Sequence, residues 1–84
     1  MFSVYVIKSQ ISDKIYIGQT ENLEKRLRQH NDKEFGKRSY TKLNKGPWTI
    51  TYKEIYKTRI EALKREKYLK SHHGRDFLRT VMVR

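Results

Sequence analysis

Five side chains have the types that would hydrolyse a phosphodiester if the fold gathered them: Tyr5, Tyr16, Arg26, His30 and Glu66. Such hydrolysis needs a divalent cation to offset the charge that develops on the phosphate. One carboxylate can hold Mg²⁺ where water and phosphate complete the shell, and Glu66 is the carboxylate in question. A guanidinium matches phosphate oxygens two at a time, which suits Arg26. The phenols of Tyr5 and Tyr16, with His30, could position or deprotonate the attacking water. An ordinary phenol is only about one part in a thousand ionised at neutral pH. It becomes a base where cations lower its pKa, and Lys8, Lys14, Arg26 and a bound metal are the cations at hand. A structural reading exists as well: Arg26 and Glu66 as a buried ion pair with His30 hydrogen-bonded beside them, an arrangement that by itself argues little about function.

The elements that must position these groups follow from periodicity. Phe2 to Lys8 alternates, with Phe2, Val4 and Val6 on one face and Ser3, Tyr5 and Ile7 on the other. Ser9 to Asp13 carries turn residues, and Lys14 to Thr20 returns as a strand with Tyr16 and Gly18 sharing a face. A register that sets Tyr5 opposite or diagonal to Tyr16 puts both phenols together, and a slip by one residue parts them. Gly18 leaves a gap beside the phenol, read either as room for a close approach or as a bulge. Thr20 to Asn31 predicts a helix with Asn22 as its N-cap. Leu23, Arg26, Leu27 and His30 fall on one face of it, so two polar groups stand where apolar ones belong.

Phe35-Gly36 suggests a bend, and Lys37 to Asn44 a short helix with Tyr40 and Leu43 inward. Gly46-Pro47 stops it. Trp48 to Tyr56 is rich in β-formers and predicts a third strand. Thr58 and Glu61 form a capping box that opens a helix running to about Ser71. Its inward stripe reads Ala62, Leu63, Glu66 and Leu69, with Arg65 on another face. His72-His73-Gly74 reads as the end of that helix, Arg75 to Thr80 as a last short one, and Val81-Met82-Val83 as a tail that packs or frays.

Composition bounds the rest. Eighty-four residues allow one domain, spanning 1–84, with a thin core that buries roughly 60% of the unfolded surface. Cysteine is absent, which excludes disulfides and Cys-based zinc sites. No run of about 18 apolar residues occurs, nor a signal-peptide pattern, so the expected location is the cytoplasm, with the nucleoid as the place of action in a bacterium. Twenty Lys and Arg against nine Asp and Glu leave a net charge of +11. That excess, interleaved with six tyrosines, favours nucleic acid as the partner and offers no apolar helix face for a membrane.

The ordered set Ser3-Val4-Tyr5, Tyr16-Ile17-Gly18, Asn22-Leu23-Glu24-Lys25-Arg26 and Glu66 within Lys64-Arg65-Glu66-Lys67 resembles the GIY-YIG endonuclease superfamily. The likeness runs over nearly the whole chain and is nearest to small stand-alone members, helped by Gly46-Pro47-Trp48 and Ala62-Leu63. It extends to the nuclease domain at the N-terminus of the bacterial excision-repair incision enzyme. The resemblance implies an α+β fold, a three-stranded antiparallel sheet flanked by three to four helices. It implies that Tyr5 and Tyr16 act at the water, Tyr5 as base; that Arg26 stabilises the phosphate; and that Glu66 binds one Mg²⁺ or Mn²⁺. His30 would relay a proton or touch the scissile phosphate. It further implies cleavage of DNA in repair, recombination or the processing of branched or single strands, with a protein partner conceivable for targeting. Ser3 departs from the family pattern, where glycine is usual, and would crowd that spot slightly.

Lys8, Lys14, Arg26, Lys37, Arg38, Lys42, Lys45, Arg65 and Arg75 are the candidate nucleic-acid contacts. Singly, each is as readily a solvated surface charge. His72 and His73 are adjacent and point apart, which excludes a chelating pair. His30-Asn31 has no second motif to make it a His-Asn nuclease. A rival reading needs no chemistry: a basic module that binds DNA or RNA by charge and stacking without cutting it. Sequence alone does not separate DNA from RNA.

Overall fold

The computed structural model describes residues 1–32 and 47–82. The readings of a bend at Phe35-Gly36 and a helix over 37–44 lie outside them. The chain runs β1 (Phe2–Ser9), β2 (Ile15–Thr20), α1 (Leu23–Asn31), β3 (Trp48–Tyr56), α2 (Arg59–Lys70) and α3 (His72–Met82). The strands form one antiparallel sheet in the order β2-β1-β3, so the N-terminal strand is central. The α+β architecture implied by the resemblance is the one observed. Among the described residues no helix is long and apolar enough to cross a membrane.

A central strand must be apolar on both faces if both are covered, and β1 is. Val4 and Val6 are fully buried on one face, where Ile17, Ala62, Leu69 and Leu78 join them under α2 and α3. Tyr5 and Ile7 are buried on the other with Trp48, and Leu23 and Leu27 of α1 close over them. The β1–β2 turn is held by Ser9, whose Oγ accepts from the backbone of Ile11 and Ser12. Asp13 takes the left-handed conformation (φ 62°) that a short polar side chain tolerates.

β3 departs from simple alternation. Its pairing with β1 shifts between Val6 and Ile7: Val6 pairs with Tyr52, but Ile7 pairs with Ile50. Thr51 is the extra residue of this bulge, and its hydroxyl donates to the Val6 carbonyl. Trp48 and Ile50 thus share the face of Ile7, while Tyr52, Glu54 and Tyr56 share that of Val6. Trp48 is anchored at the start of the strand by a reciprocal pair: its N–H donates to the Asn31 amide oxygen at 2.8 Å, and the Asn31 amide donates to its carbonyl at 3.1 Å.

The helix pair differs in two places from the sequence reading. Leu63 is largely exposed, and Arg65 turns inward. The cause is Glu54, whose carboxylate accepts from Arg65 Nε at 2.8 Å and Nη2 at 3.0 Å, from the Tyr56 hydroxyl at 2.6 Å, and from Tyr52. The guanidinium also lies over the rings of Tyr68 and Phe77. Burial pushes the Glu54 carboxyl up, but these donors outweigh it and hold the group below the usual carboxylate range. Tyr56 is pushed up to about 12, first by its bond to Glu54 and then by burial. Secondly, His72-His73-Gly74 opens α3 rather than closing α2. Ser71 caps the junction, and a Cβ on Gly74 would stand 2.0 Å from the Tyr68 carbonyl oxygen and 2.4 Å from the Leu69 Cα. Glycine is there because two helix backbones touch.

Two outcomes are expected. Gly74→Ala should destabilise the chain by about 2 kcal/mol or more, since backbone cannot move aside for a methyl; an unchanged thermal midpoint would contradict the contact. Glu54 titrates lower folded than unfolded, so its stabilisation is present above the ordinary value of 4.5 and lost as pH falls through the depressed folded value. Glu54→Gln should therefore cost about 2 kcal/mol near neutral pH and flatten the loss of stability on acidification, read by urea unfolding down to about pH 3.

Candidate active site

The β1–β2 ladder runs unbroken from Ser3–Thr20 to Lys8–Ile15, and it sets Tyr5 directly across from Gly18. Tyr16 is the diagonal neighbour on the same face, and the two phenol rings lie 6.2 Å apart. Gly18 is not a bulge. A Cβ there would be 2.8 Å from the Tyr5 Oη and 3.0 Å from its Cζ, so the phenol of Tyr5 itself occupies the gap. Ser3, at the usual glycine position, sits within this ladder without interrupting it.

The phenols meet α1. Asn22 caps that helix, accepting from the Lys25 N–H at 3.0 Å, and its acidic first turn suits the helix N-terminus. With Leu23 and Leu27 packed on the Tyr5 side of the sheet, Arg26 and His30 are carried to the tyrosines by the same helical face. His30 is buried, its Nε2 is 2.8 Å from the Tyr5 Oη, and its ring is 4.8 Å from that of Tyr16. The tautomer decides the donor: the Tyr5 hydroxyl donates to a bare Nε2, or Nε2–H donates to the phenol oxygen. Arg26, half-buried, donates to the Gln29 side chain at 3.1 Å and lies against both phenols. Burial disfavours its charge, but the neighbouring Tyr5 and Tyr16 more than compensate and raise its pKa.

The expectation that cations lower the reactive phenol is corrected for Tyr5. Burial pushes it up to about 12; the nearby Tyr16 and the charge of Glu66 add to the rise, and Arg26 only partly opposes them. Tyr5 therefore keeps its proton at neutral pH, and any proton it accepts must be matched by one it gives away.

Glu66 comes from the helix pair on the other side of the sheet, yet its charge is felt at Tyr5. Its carboxylate is largely buried and pairs with Lys70 at 2.7 Å, not with Arg26, so the purely structural Arg26–Glu66 bridge is not formed. Among the described residues no three His, Cys, Asp or Glu side chains cluster to hold a metal. A hard oxygen donor standing as a lone carboxylate does fit the kind of site in which Mg²⁺ keeps water and phosphate as its other ligands.

The candidate phosphate contacts divide. Lys8 is half-buried and sits 3.6 Å from Asp13, and Lys14 and Arg75 are exposed. Arg65 is committed to Glu54 and is withdrawn as a phosphate contact. Lys37, Arg38, Lys42 and Lys45 lie outside the described residues. Sequence reasoning missed Gln29 and Lys70, although the i, i+3 and i, i+4 spacings from Arg26 and Glu66 would have pointed to both. It also missed the Asn31 clamp, for which the sequence holds no signal.

Comparisons with known proteins identify relatives over nearly the whole chain. The family model described as GIY-YIG catalytic domain matches residues 1–79. A protein of Staphylococcus saprophyticus named as a UPF0213 protein is 32% identical over 78 residues, covering 93% of this chain and 90% of its own length. UPF0213 proteins of Staphylococcus aureus strains Mu3 and Mu50 are each 33% identical over 81 residues, covering 96% of this chain and 94% of theirs. No solved structure gives a significant match.

Burial as the dominant influence on Tyr5 can be read directly. In protein labelled with ¹³C at the tyrosine Cζ, the resonance lost in Tyr5→Phe should still be unshifted one unit above the ordinary phenol value of 10.0. In Arg26→Gln it should titrate later still. A midpoint at or below the ordinary value would show that charge, not desolvation, governs the site.

Proposed function

The chain belongs to the GIY-YIG catalytic domain family, and from that premise we propose that it is an endonuclease that hydrolyses phosphodiester bonds in DNA with the help of one divalent cation, Mg²⁺ or Mn²⁺. The substrates proposed are branched or single-stranded DNA arising in repair or recombination. The observation that carries this reading is the 2.8 Å contact between the Tyr5 phenol and His30, set beside Tyr16 and Arg26. Packing alone does not call for a hydrogen-bonded phenol–imidazole pair under a guanidinium.

The chemistry follows from the parts. Glu66 would hold the cation, and Lys70 keeps its carboxylate in place. When bound, the cation supplies neutralisation of the charge that develops on the phosphate. Arg26 grips the non-bridging oxygens, and its resting partner Gln29 is an amide that a phosphate outcompetes. The water oxygen attacks phosphorus as its proton passes to the Tyr5 oxygen, and the Tyr5 proton moves to the bare Nε2 of His30. The phenol is never left as an anion, which answers its pKa of about 12. Tyr16 orients the water from the other side. The bond to the leaving oxygen breaks, and that oxygen is protonated from solvent.

The test uses plasmid, flap and Y-shaped DNA with Mg²⁺, and matched RNA alongside. Glu66→Ala and Tyr5→Phe should each lower the cleavage rate by about a hundredfold or more. Equal cleavage by all three proteins would sink the proposal by exposing a contaminant. Tight binding without products from any substrate would leave a basic binding module instead.

A further inference from the structure

Two cavities lie side by side along β2, the outer strand of the sheet. One, of about 270 Å³, is lined by Tyr16, Ile17, Lys70 and Arg75; the other, of about 310 Å³, by Lys8, Leu78, Arg79 and Met82. Both are also lined by Ile15 and Arg75, so they form one groove. It starts at Tyr16, in the candidate active site, and ends at the β1–β2 turn. Its rim carries four cations, Lys8, Lys70, Arg75 and Arg79, of which Lys70 is paired with Glu66, and one carboxylate, Asp13; its floor is apolar: Ile15, Ile17, Leu78 and Met82.

We infer that this groove holds the stretch of DNA strand that flanks the scissile phosphate, as a single strand. The inference rests on the nuclease reading only for the words "scissile phosphate"; the groove's affinity for a strand stands apart from it. Three features point to this occupant. Cations along the groove fit a sugar–phosphate backbone, and the Tyr16 ring at one end offers a base a stacking face, the combination found on single-strand binding surfaces. Volumes of about 310 and 270 Å³ are on the scale of single nucleotides and not of a duplex. Two of the cations are also available: Lys8, its side chain 41% exposed, pairs with Asp13 only at 3.6 Å, and Arg79 is 71% exposed beside Asp76. Surface pairs of this kind contribute little and yield to phosphate. Asp13 and Asp76 then serve to hold long side chains out along the rim. Arg79 enters as a contact that sequence reasoning did not single out, and Arg75, whose Nε donates to the Lys70 carbonyl at 3.4 Å, joins the two halves.

The test measures binding without cleavage. Fluorescence anisotropy of a labelled thymidine oligomer is followed in EDTA across a salt series, with the full chain. Arg75→Gln/Arg79→Gln should bind about tenfold or more weakly and lower the salt slope by about 1.4, two phosphates' worth for a single strand. Lys57→Gln/Lys64→Gln removes the same charge from exposed positions outside the groove and should lose little. Lys8→Gln, a substitution in β1 and not in α3, is expected to weaken binding in the same sense and guards against a folding effect in α3, checked by circular dichroism. Equal losses from both double variants would mean that net charge alone is read, and would overturn the inference. So would an unchanged slope in Arg75→Gln/Arg79→Gln, or a groove-dependent preference for duplex of the same length. Because no cutting is required, failure here leaves the nuclease proposal standing, and a protein that never cuts can still show the groove.

Discussion

The Tyr5 phenol lies where residue 18 would have a side chain, and the site depends on that one close approach. Only glycine across the ladder lets the ring lie flat enough to reach α1. From there its hydroxyl meets His30, its ring is covered by Leu23 and Leu27, and its burial sets its proton affinity. Tyr16 is placed by the same geometry, one diagonal step away. A side chain at 18 would press on both rings at once, so packing and proton transfer share a single steric condition.

The sheet keeps its two sides separate. One face carries the phenols, Arg26 and His30; the other carries the helix pair that delivers Glu66. The face toward the helices holds a saturated polar hub, with Glu54 engaged by two phenols and a bidentate guanidinium. Such a hub is costly to bury unless every member is satisfied, and here the stacked rings of Tyr68 and Phe77 complete it. It ties α2 to β3 one residue before Glu66. Glu66 therefore follows directly on the residue that anchors its helix to the sheet.

Much of this was legible in the sequence where one local rule decides. The order of elements, the Asn22 cap, the Thr58–Glu61 box and the shared face of Arg26 and His30 each follow from spacing alone. The hairpin left Tyr5 and Tyr16 opposite or diagonal, and the ladder makes them diagonal. What was not legible depends on partners distant in the chain. Arg65 looked like a surface cation because nothing nearby reveals Glu54. Gly74 looked like a helix stop because its real reason is the backbone of the preceding helix. The rise of the Tyr5 phenol could not be read from the cations around it, since desolvation comes from α1 and Trp48 closing over a central strand.

The bulge at Thr51 gives the third strand something like a reading frame. Before it, even-numbered residues serve the phenol side; after it, they serve the helix side. Removing Thr51 would splice Ile50 to Tyr52 and restore a regular ladder, with each half still in its own frame and the hydroxyl's contacts to the Val6 carbonyl and the Met82 sulfur lost. A deletion anywhere from Lys53 to Ile55 would instead throw part of the Tyr52–Glu54–Tyr56 triplet out of frame. One strand thus holds one position where a lost codon is nearly silent, and three neighbouring positions where the same loss would be read as nonsense by both layers of the fold.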